Sequence, residues 1–399
     1  MNVLEQEQSL FLPTYNRLPI EITRGEGYFL YDKNEKRYLD FLGGLAVNAL
    51  GHAHPKIVEQ VSKQISRFAH LSNLFVTDVH IAFTEKLLKY SKMYRAFLTN
   101  SGTEAVEGAI KILRAFYGPD KTIFSMSNSF HGRTYGAMTL TDKSKYKEPF
   151  KPLLPNIGTI VFNDVEDLRS KVDSNTVAVF IEFLQGEGGI FMASEEFVSE
   201  LSALRDQYGF AIVSDSIQCG IGRTGKPFSH DFFDVQPDII LSAKAIGGGL
   251  PLGAILTNEK FSTAIKKGEH GTTFGGNAVC CAAGLVVLEE VFENGIMQNA
   301  KKIGDYLKSE IAKVALEFPG FISEIRGEGL MVGIDVKPML SAPIVTRLLE
   351  KGVITNSTHD TVIRLLPPLI IDEHAVDLFI DVLREVIREF KQQASQAKA

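Results

Sequence analysis

Lys244 is the residue of this sequence whose type and setting most directly suggest chemistry. It follows the apolar run DIILSA and precedes three glycines, Gly247 to Gly249. Because burying an ammonium group costs free energy, the pKa of a lysine at such a strand end falls, and its amine can form a Schiff base with a carbonyl group. A surface lysine in front of a glycine loop is the alternative interpretation.

Two further segments carry groups that could act beside this lysine. Asp215 ends the run FAIVSD and could pair with a cationic ring nitrogen, bind a metal ion or cap a loop. The segment Asn100-Ser101-Gly102-Thr103-Glu104 follows the strand-like run YRAFLTN. Its serine and glutamate have the spacing of a capping box, and the free amides at the start of a helix bind phosphate. A capped helix without a ligand is the alternative here.

The elements that must position these groups alternate between helical stripes and short apolar runs. Helices are predicted over 56–68, from Ala105 to Leu113, and over 195–208. Strands are predicted over 94–100, 121–126, 177–183, 210–215 and 238–243. Strands that are apolar throughout are typical of a parallel sheet covered on both faces, so the pattern predicts an α/β fold. Ligands bind at the carboxyl ends of such strands, and an amine, an acid and a phosphate loop together there suggest pyridoxal phosphate.

The pattern changes after about residue 290, which indicates a second, smaller unit. A helix over 298–316, the run GLMVGIDV, a helix near 343–351, a strand at 361–366 and a helix over 372–392 are predicted there. The first 55 residues look like short strands and loops that pack with this unit. We therefore expect a small domain built from 1–55 and 291–399, and a large domain over 56–290.

Composition narrows the class of protein. The 399 residues are 45% hydrophobic, enough for a large core, and 42 Lys and Arg against 48 Asp and Glu give a net charge of −6. A mildly acidic chain is a poor candidate for nucleic-acid binding. The sequence has no signal peptide and no apolar run long enough for a bilayer, so a cytoplasmic protein with no membrane partner is expected. Three cysteines without metal-ligand spacing are expected to be free thiols.

Two motifs that resemble ligand sites are not expected to bind a ligand. The segment Gly220 to Gly225 matches G-x-G-x-x-G, but it does not directly follow a strand and no helical stripe opens after it, so a dinucleotide site is not expected. His52 and His54 form an H-x-H motif in a glycine-flanked loop without an evident third ligand. Loop structure, and no metal site, is the favoured interpretation.

Motifs along the whole chain resemble one enzyme family. From about Tyr15 to the last helix, the stretches TNSGTEAVEGAIK, FHGRT, QGEGG, SDSIQCGIGRTG, SAKAIGGGLPLGA, HGTTFGGN and IRLLPP resemble the subgroup III pyridoxal-phosphate-dependent aminotransferases of fold type I, which act on ω-amino groups. The resemblance implies a large domain with a mostly parallel central sheet covered by helices, and a smaller α+β domain built from both chain ends. The family commonly has Asp-Glu and Glu-Pro where this chain has Asp215-Ser216 and Glu182-Phe183.

The resemblance also implies roles in holding pyridoxal 5′-phosphate. Lys244 would bind it covalently and then act as general acid and base, and Asp215 would pair with its ring nitrogen. The remaining cofactor contacts that it implies are Gly102, Thr103, Phe130, Ser216, Ile217, Gln218 and Thr273. Since the family's equivalent of Thr273 reaches the partner subunit's phosphate site, a homodimer with shared active sites is expected.

Substrate contacts follow in the same way. Arg133 would hold a distal carboxylate, Arg364 would hold the α-carboxylate of glutamate, and Glu187 would mask Arg364 while an ω-amine is bound. Thr272 and Tyr15 line up with further substrate contacts.

The implied reaction moves the terminal amine of N2-acetyl-L-ornithine to 2-oxoglutarate, giving N-acetyl-L-glutamate 5-semialdehyde and glutamate, in arginine biosynthesis. N-succinylornithine, ornithine and 4-aminobutyrate remain alternative donors. A glutamate-semialdehyde aminomutase and a non-catalytic cofactor-binding protein are the more distant alternatives.

Overall fold

The structure is a computed structural model that describes residues 3–396. Its helices are α1 (Val3–Leu10), α2 (Gly43–Ala46), α3 (Pro55–Arg67), α4 (Asp78–Ser91), α5 (Gly102–Tyr117), α6 (Tyr135–Leu140), α7 (Ser144–Lys147), α8 (Val165–Lys171), α9 (Glu195–Tyr208), α10 (Ala278–Phe292), α11 (Ile296–Glu317), α12 (Ser341–Glu350) and α13 (Glu373–Gln396).

The strands follow the same chain order. They are β1 (Ile22–Glu26), β2 (Phe29–Asp32), β3 (Arg37–Asp40), β4 (Arg95–Thr99), β5 (Thr122–Met126), β6 (Ile157–Ile160), β7 (Thr176–Ile181), β8 (Leu184–Gln185), β9 (Phe191–Met192), β10 (Ala211–Asp215), β11 (Ile239–Ser242), β12 (Gly253–Thr257), β13 (Glu324–Glu328), β14 (Met331–Asp335), β15 (Val353–Ile354), β16 (Asn356–Thr358) and β17 (Val362–Leu365).

A seven-stranded sheet with the order β4-β12-β11-β10-β7-β5-β6 forms the centre of the molecule. All its strands run parallel except β12, which pairs antiparallel with both β11 and β4. Every residue of β7, β10, β11 and β12 is buried, as expected for strands covered by helices on both faces. The predicted α/β fold with a mostly parallel sheet is confirmed.

The antiparallel strand β12 was not predicted, and its direction follows from the length of its connection. Only residues 243–252 separate β11 from β12. A parallel neighbour needs a crossover of a dozen or more residues, so a connection this short returns the chain beside β11 in the opposite direction. The loop that carries Lys244 is therefore tied to the sheet at both ends.

Two four-stranded sheets lie outside the central one, with the orders β1-β2-β3-β15 and β13-β14-β17-β16. The pairing of β3 with β15 joins the N-terminal segment to the C-terminal part of the chain, and the domain boundaries 1–55, 56–290 and 291–399 stay a prediction. Helix α1 was not predicted, because VLEQEQSL has no apolar stripe. None of the helices within residues 3–396 is long and apolar enough to span a lipid bilayer.

Candidate active site

A cavity of about 460 Å³ opens at the carboxyl ends of β4, β7, β10 and β11. The sequence predicted its ligand-binding groups at this edge of the sheet. The cavity is lined by Val47, Asn100, Ser101, Gly102, Thr103, Phe130, His131, Gly132, Arg133, Glu182, Glu187, Asp215, Ile217, Gln218, Ala243, Lys244, Gly249, Leu250, Pro251 and Leu252. The amine, the acid and the glycine-containing helix start predicted from three separate motifs therefore share one cavity.

Lys244 begins the turn after β11, and its backbone is left-handed with φ 50°. A side chain in that region is strained, and such strain is common where a fold holds a functional group in place. Burial lowers the pKa of Lys244 and Arg364 lowers it further, although Glu187, Asp215 and Glu182 act in the opposite direction. A lower pKa increases the fraction of neutral, nucleophilic amine near neutral pH.

Asp215 ends β10 with its carboxylate facing the cavity. Its Oδ1 accepts a hydrogen bond from the Ile217 amide at 3.1 Å, and its Oδ2 lies 2.6 Å from Nδ1 of the buried His131. Burial alone would lower the pKa of His131, but the hydrogen bond and charge of Asp215 outweigh it and raise that pKa. His131 therefore holds the Asp215 carboxylate in place through this hydrogen bond.

The start of α5 supplies a site for an anion. Ser101 caps the helix by accepting a hydrogen bond from the Glu104 amide at 3.3 Å, as the capping-box spacing predicted. The Glu104 carboxylate accepts from the Asn100 amide at 2.8 Å, one residue before the position that a regular capping box would use. The Thr103 hydroxyl lies 2.8 Å from that of Thr134, beside the free amides of the first turn. Such helix starts bind phosphate through their amides and the helix dipole.

The two predicted arginines have different settings. Arg133 is exposed, with its guanidinium 4.0 Å from the ring centre of Tyr146, and no carboxylate of the described residues pairs with it. Arg364 is 1% exposed, and its Nη1 lies 2.5 Å from Oε1 of Glu187. Burial raises the pKa of Glu187, but the charge and hydrogen bond of Arg364 outweigh this and lower it. Glu187 therefore lines the cavity as a carboxylate that neutralises Arg364.

Most of the predicted site residues line the cavity, but five do not. Arg364 is one of them, since it lies behind Glu187 and Gln218, which do line it. Successive residues of an extended chain point to opposite faces, and Asp215 takes the face toward the cavity. Ser216 therefore points away from the cavity, where its hydroxyl lies 2.9 Å from that of Ser214. Thr272 accepts a hydrogen bond from the Asn100 side chain at 3.0 Å, just outside the cavity. Thr273 lies away from it, and Tyr15 is 73% exposed beside Arg17.

Glu182 is a site residue that the sequence analysis did not identify. It is 5% exposed, and its carboxylate accepts hydrogen bonds from the Phe130 amide at 3.1 Å and the Gly186 amide at 3.4 Å. Burial raises its pKa to about 7. A signal was present, because Glu182 directly follows the fully apolar run VAVFI, just as Asp215 ends its own strand. In the glycine-flanked loop, His52 pairs with Asp40 at 2.8 Å.

Comparison with known proteins identifies relatives over nearly the whole chain. The sequence profile of the class-III aminotransferases matches residues 11–387. Acetylornithine aminotransferase from Methanocaldococcus jannaschii is 41% identical over 397 residues, covering 98% of this chain and 99% of that protein. The enzyme of the same name from Caldanaerobacter subterraneus is 40% identical over 394 residues, covering 98% and 100%. The crystal structure of ornithine aminotransferase from Toxoplasma gondii superposes with a TM-score of 0.93 at 26% identity, covering 98% and 95%.

Proposed function

Because the chain belongs to the class-III aminotransferases, which are pyridoxal-phosphate-dependent enzymes, we propose that it moves the terminal amine of N2-acetyl-L-ornithine to 2-oxoglutarate. The products are N-acetyl-L-glutamate 5-semialdehyde and glutamate, as in arginine biosynthesis. The full-length likeness to acetylornithine aminotransferases supports the donor. The observation that carries the proposal is the pairing of Glu187 with Arg364 at the cavity wall, since one site must accept both an ω-amine and an α-amino acid.

The residues present fit pyridoxal phosphate. The first turn of α5 and Thr103 would hold the phosphate, Asp215 would pair with the ring nitrogen, and Gln218 would reach the ring hydroxyl. A Cβ on Gly102 would lie 2.7 Å from Cδ1 of Ile217, so only glycine leaves this wall of the cavity undisturbed. When bound, the cofactor supplies a ring that withdraws electrons from the carbon bearing the transferred nitrogen.

The chain's own groups supply the proton transfers and the substrate binding. Lys244, with its lowered pKa, takes and returns a proton at Nζ between the reacting carbons. Arg133 is free to bind the distal carboxylate of either substrate in bidentate fashion. While an ω-amine donor is bound, Glu187 leaves no unpaired positive charge at Arg364. When glutamate binds, its α-carboxylate replaces that of Glu187.

A donor panel tests the proposal. The purified enzyme is mixed with 2-oxoglutarate and, in turn, N2-acetylornithine, N-succinylornithine, ornithine or 4-aminobutyrate, and kcat/KM is compared because selectivity is a ratio of these constants. We expect N2-acetylornithine to give the highest value. No glutamate from any donor would contradict the proposal, while isomerisation of glutamate semialdehyde in the absence of 2-oxoglutarate would indicate an aminomutase.

We further infer a homodimer in the cytoplasm. The segment before α4 and the loop after His270 expose large apolar side chains: Leu71, Leu74, Phe75, Val76 and Phe274. Asn73 ties the two together through hydrogen bonds to the carbonyls of Thr272 and Gly275 at 3.1 and 3.2 Å. A second copy covering this surface would bring Thr273 toward the partner's phosphate site. The molar mass of the purified enzyme, measured by size-exclusion chromatography with light scattering, tests the dimer. A monomer at micromolar concentration would contradict it.

A further inference from the structure

Arg364 has two partners besides Glu187, and both are uncharged amides. Its Nε donates to Oδ1 of Asn356 at 3.2 Å, and its Nη1 donates to Oε1 of Gln218 at 3.2 Å. Gln218 lines the cavity, whereas Asn356 does not. If Arg364 lost its carboxylate partner, the buried guanidinium would carry an unpaired charge, which costs free energy. Hydrogen bonds to the two amides reduce that cost.

The register of the outer sheet explains how Asn356 reaches this position. In the antiparallel pair β16–β17, Asn356 lies directly opposite Arg364, so both side chains project from the same face. Thr358, two residues further along β16, shares that face, and its hydroxyl donates to the Glu187 carbonyl at 2.9 Å. Ser357, between them, points away and its hydroxyl contacts that of Ser341. One short edge strand therefore holds both the arginine and the backbone of the glutamate that masks it.

We propose that Asn356 is a positioning residue, which keeps Arg364 aligned for the α-carboxylate of glutamate or 2-oxoglutarate without neutralising its charge. The inference rests on the proposed function, because it assigns Asn356 to only one of the two half-reactions. When Glu187 leaves, a neutral amide keeps the guanidinium in place and leaves its positive charge available to the substrate. A carboxylate at the same position would hold the guanidinium equally well but would permanently neutralise its positive charge.

The chemical difference between an amide and a carboxylate provides the test. The variants Asn356→Asp and Asn356→Ala are prepared as holoenzymes, with Ser357→Ala as a matched control that removes a hydrogen bond from the same strand on its other face. Single-turnover half-reactions with glutamate and with the best ω-amine donor are followed by the visible absorbance of the bound cofactor. With the donor saturating, the concentration of the acceptor 2-oxoglutarate is then varied to obtain its specificity constant.

Asn356→Asp should lower kcat/KM for glutamate and 2-oxoglutarate by about tenfold or more, the scale of one charge-assisted hydrogen bond, and change that for the ω-amine less than about twofold. Asn356→Ala should have a smaller effect on the glutamate side, and Ser357→Ala should affect neither half-reaction selectively. Equal losses in both half-reactions, or a larger loss for Ala than for Asp, would overturn the inference in favour of a structural role. If Asn356→Asp does not fold, the selectivity of Asn356→Ala decides alone. Failure of the wild-type enzyme to use 2-oxoglutarate at all would instead refute the proposed function.

Discussion

Replacing Gly102 by alanine should weaken cofactor binding through Ile217, because the two residues meet at the cavity wall. The new Cβ would lie 2.7, 2.9 and 3.1 Å from three carbon atoms of Ile217, against about 3.5–4.0 Å for an ordinary carbon contact. Gly102 starts α5, whose first turn is fixed by the Ser101 cap, so the isoleucine must move. Since Ile217 lines the cavity, its displacement takes space from the bound ring.

The expected loss of cofactor affinity can be estimated from the free-energy cost of overpacking in other proteins. Such contacts cost about 1–3 kcal/mol, which corresponds to about a five- to 150-fold rise in the dissociation constant of pyridoxal phosphate. The enzyme is dialysed to equilibrium against a series of falling cofactor concentrations. The amount of cofactor that stays bound is measured by its absorbance at each concentration, which gives the dissociation constant. The thermal midpoint of the holoenzyme is recorded alongside, to show that the variant is folded.

A double-mutant cycle identifies the cause. Ile217→Ala removes all three clashing atoms, so Gly102→Ala should cost much less affinity in that background than in the native one. The single variant Ile217→Ala provides the reference for its own loss of contact with the ring. An unchanged dissociation constant for Gly102→Ala, or an equal loss in both backgrounds, would refute the steric reasoning.

Three further predictions concern charged groups of the cavity. Lys244→Ala should abolish the absorbance of lysine-bound cofactor and lower kcat by about 100- to 10,000-fold, the contribution of a positioned acid–base group, and an unchanged spectrum would contradict its role. Glu187→Gln should raise kcat/KM for glutamate relative to the ω-amine donor, by about tenfold for the loss of one charged partner of Arg364; a constant ratio in paired assays would contradict the masking. Because burial raises the pKa of Glu182 from 4.5 to about 7, the native protein binds an extra proton in this window and its stability should fall as the pH rises through it. Glu182→Gln holoenzyme should therefore gain in thermal midpoint relative to the native enzyme between pH 5 and 8, and a pH-independent difference would contradict the assignment.

The sequence predicted the elements whose apolar pattern is continuous and left out those specified by distant contacts. Strands such as 210–215 and 238–243 were predicted because buried parallel strands are apolar along their length, and they lie at 211–215 and 239–242. Strand β12 was missed, since nothing in the local pattern of GAILT shows that the chain returns beside β11. Helix α10 was also missed, because AVCCAAGLVVLEEVF is apolar nearly all round and shows no stripe.

The site divides in the same way. Lys244, Asp215 and Gly102 could be predicted because each lies at the carboxyl end of a strand or within three residues of it, and parallel strands of one sheet end at the same edge. The pairing of Asp215 with His131 joins residues 84 positions apart, and the contact between Asn356 and Arg364 depends on the register of two short strands. Sequence spacing carries little information on either, so these supporting contacts emerged only from the three-dimensional arrangement.

The short connection between β11 and β12 has a consequence for how substrate preference could be altered. Residues 243–252 form one wall of the cavity and are anchored in the hydrogen-bond ladder at both ends, so insertions there would displace the reactive amine along with the wall. Arg133 and Glu187 also line the cavity, but they lie in the connections between β5 and α6 and between β8 and β9, outside this anchored segment. Redesign toward bulkier or differently charged amines should therefore vary these two connections and leave residues 243–252 intact.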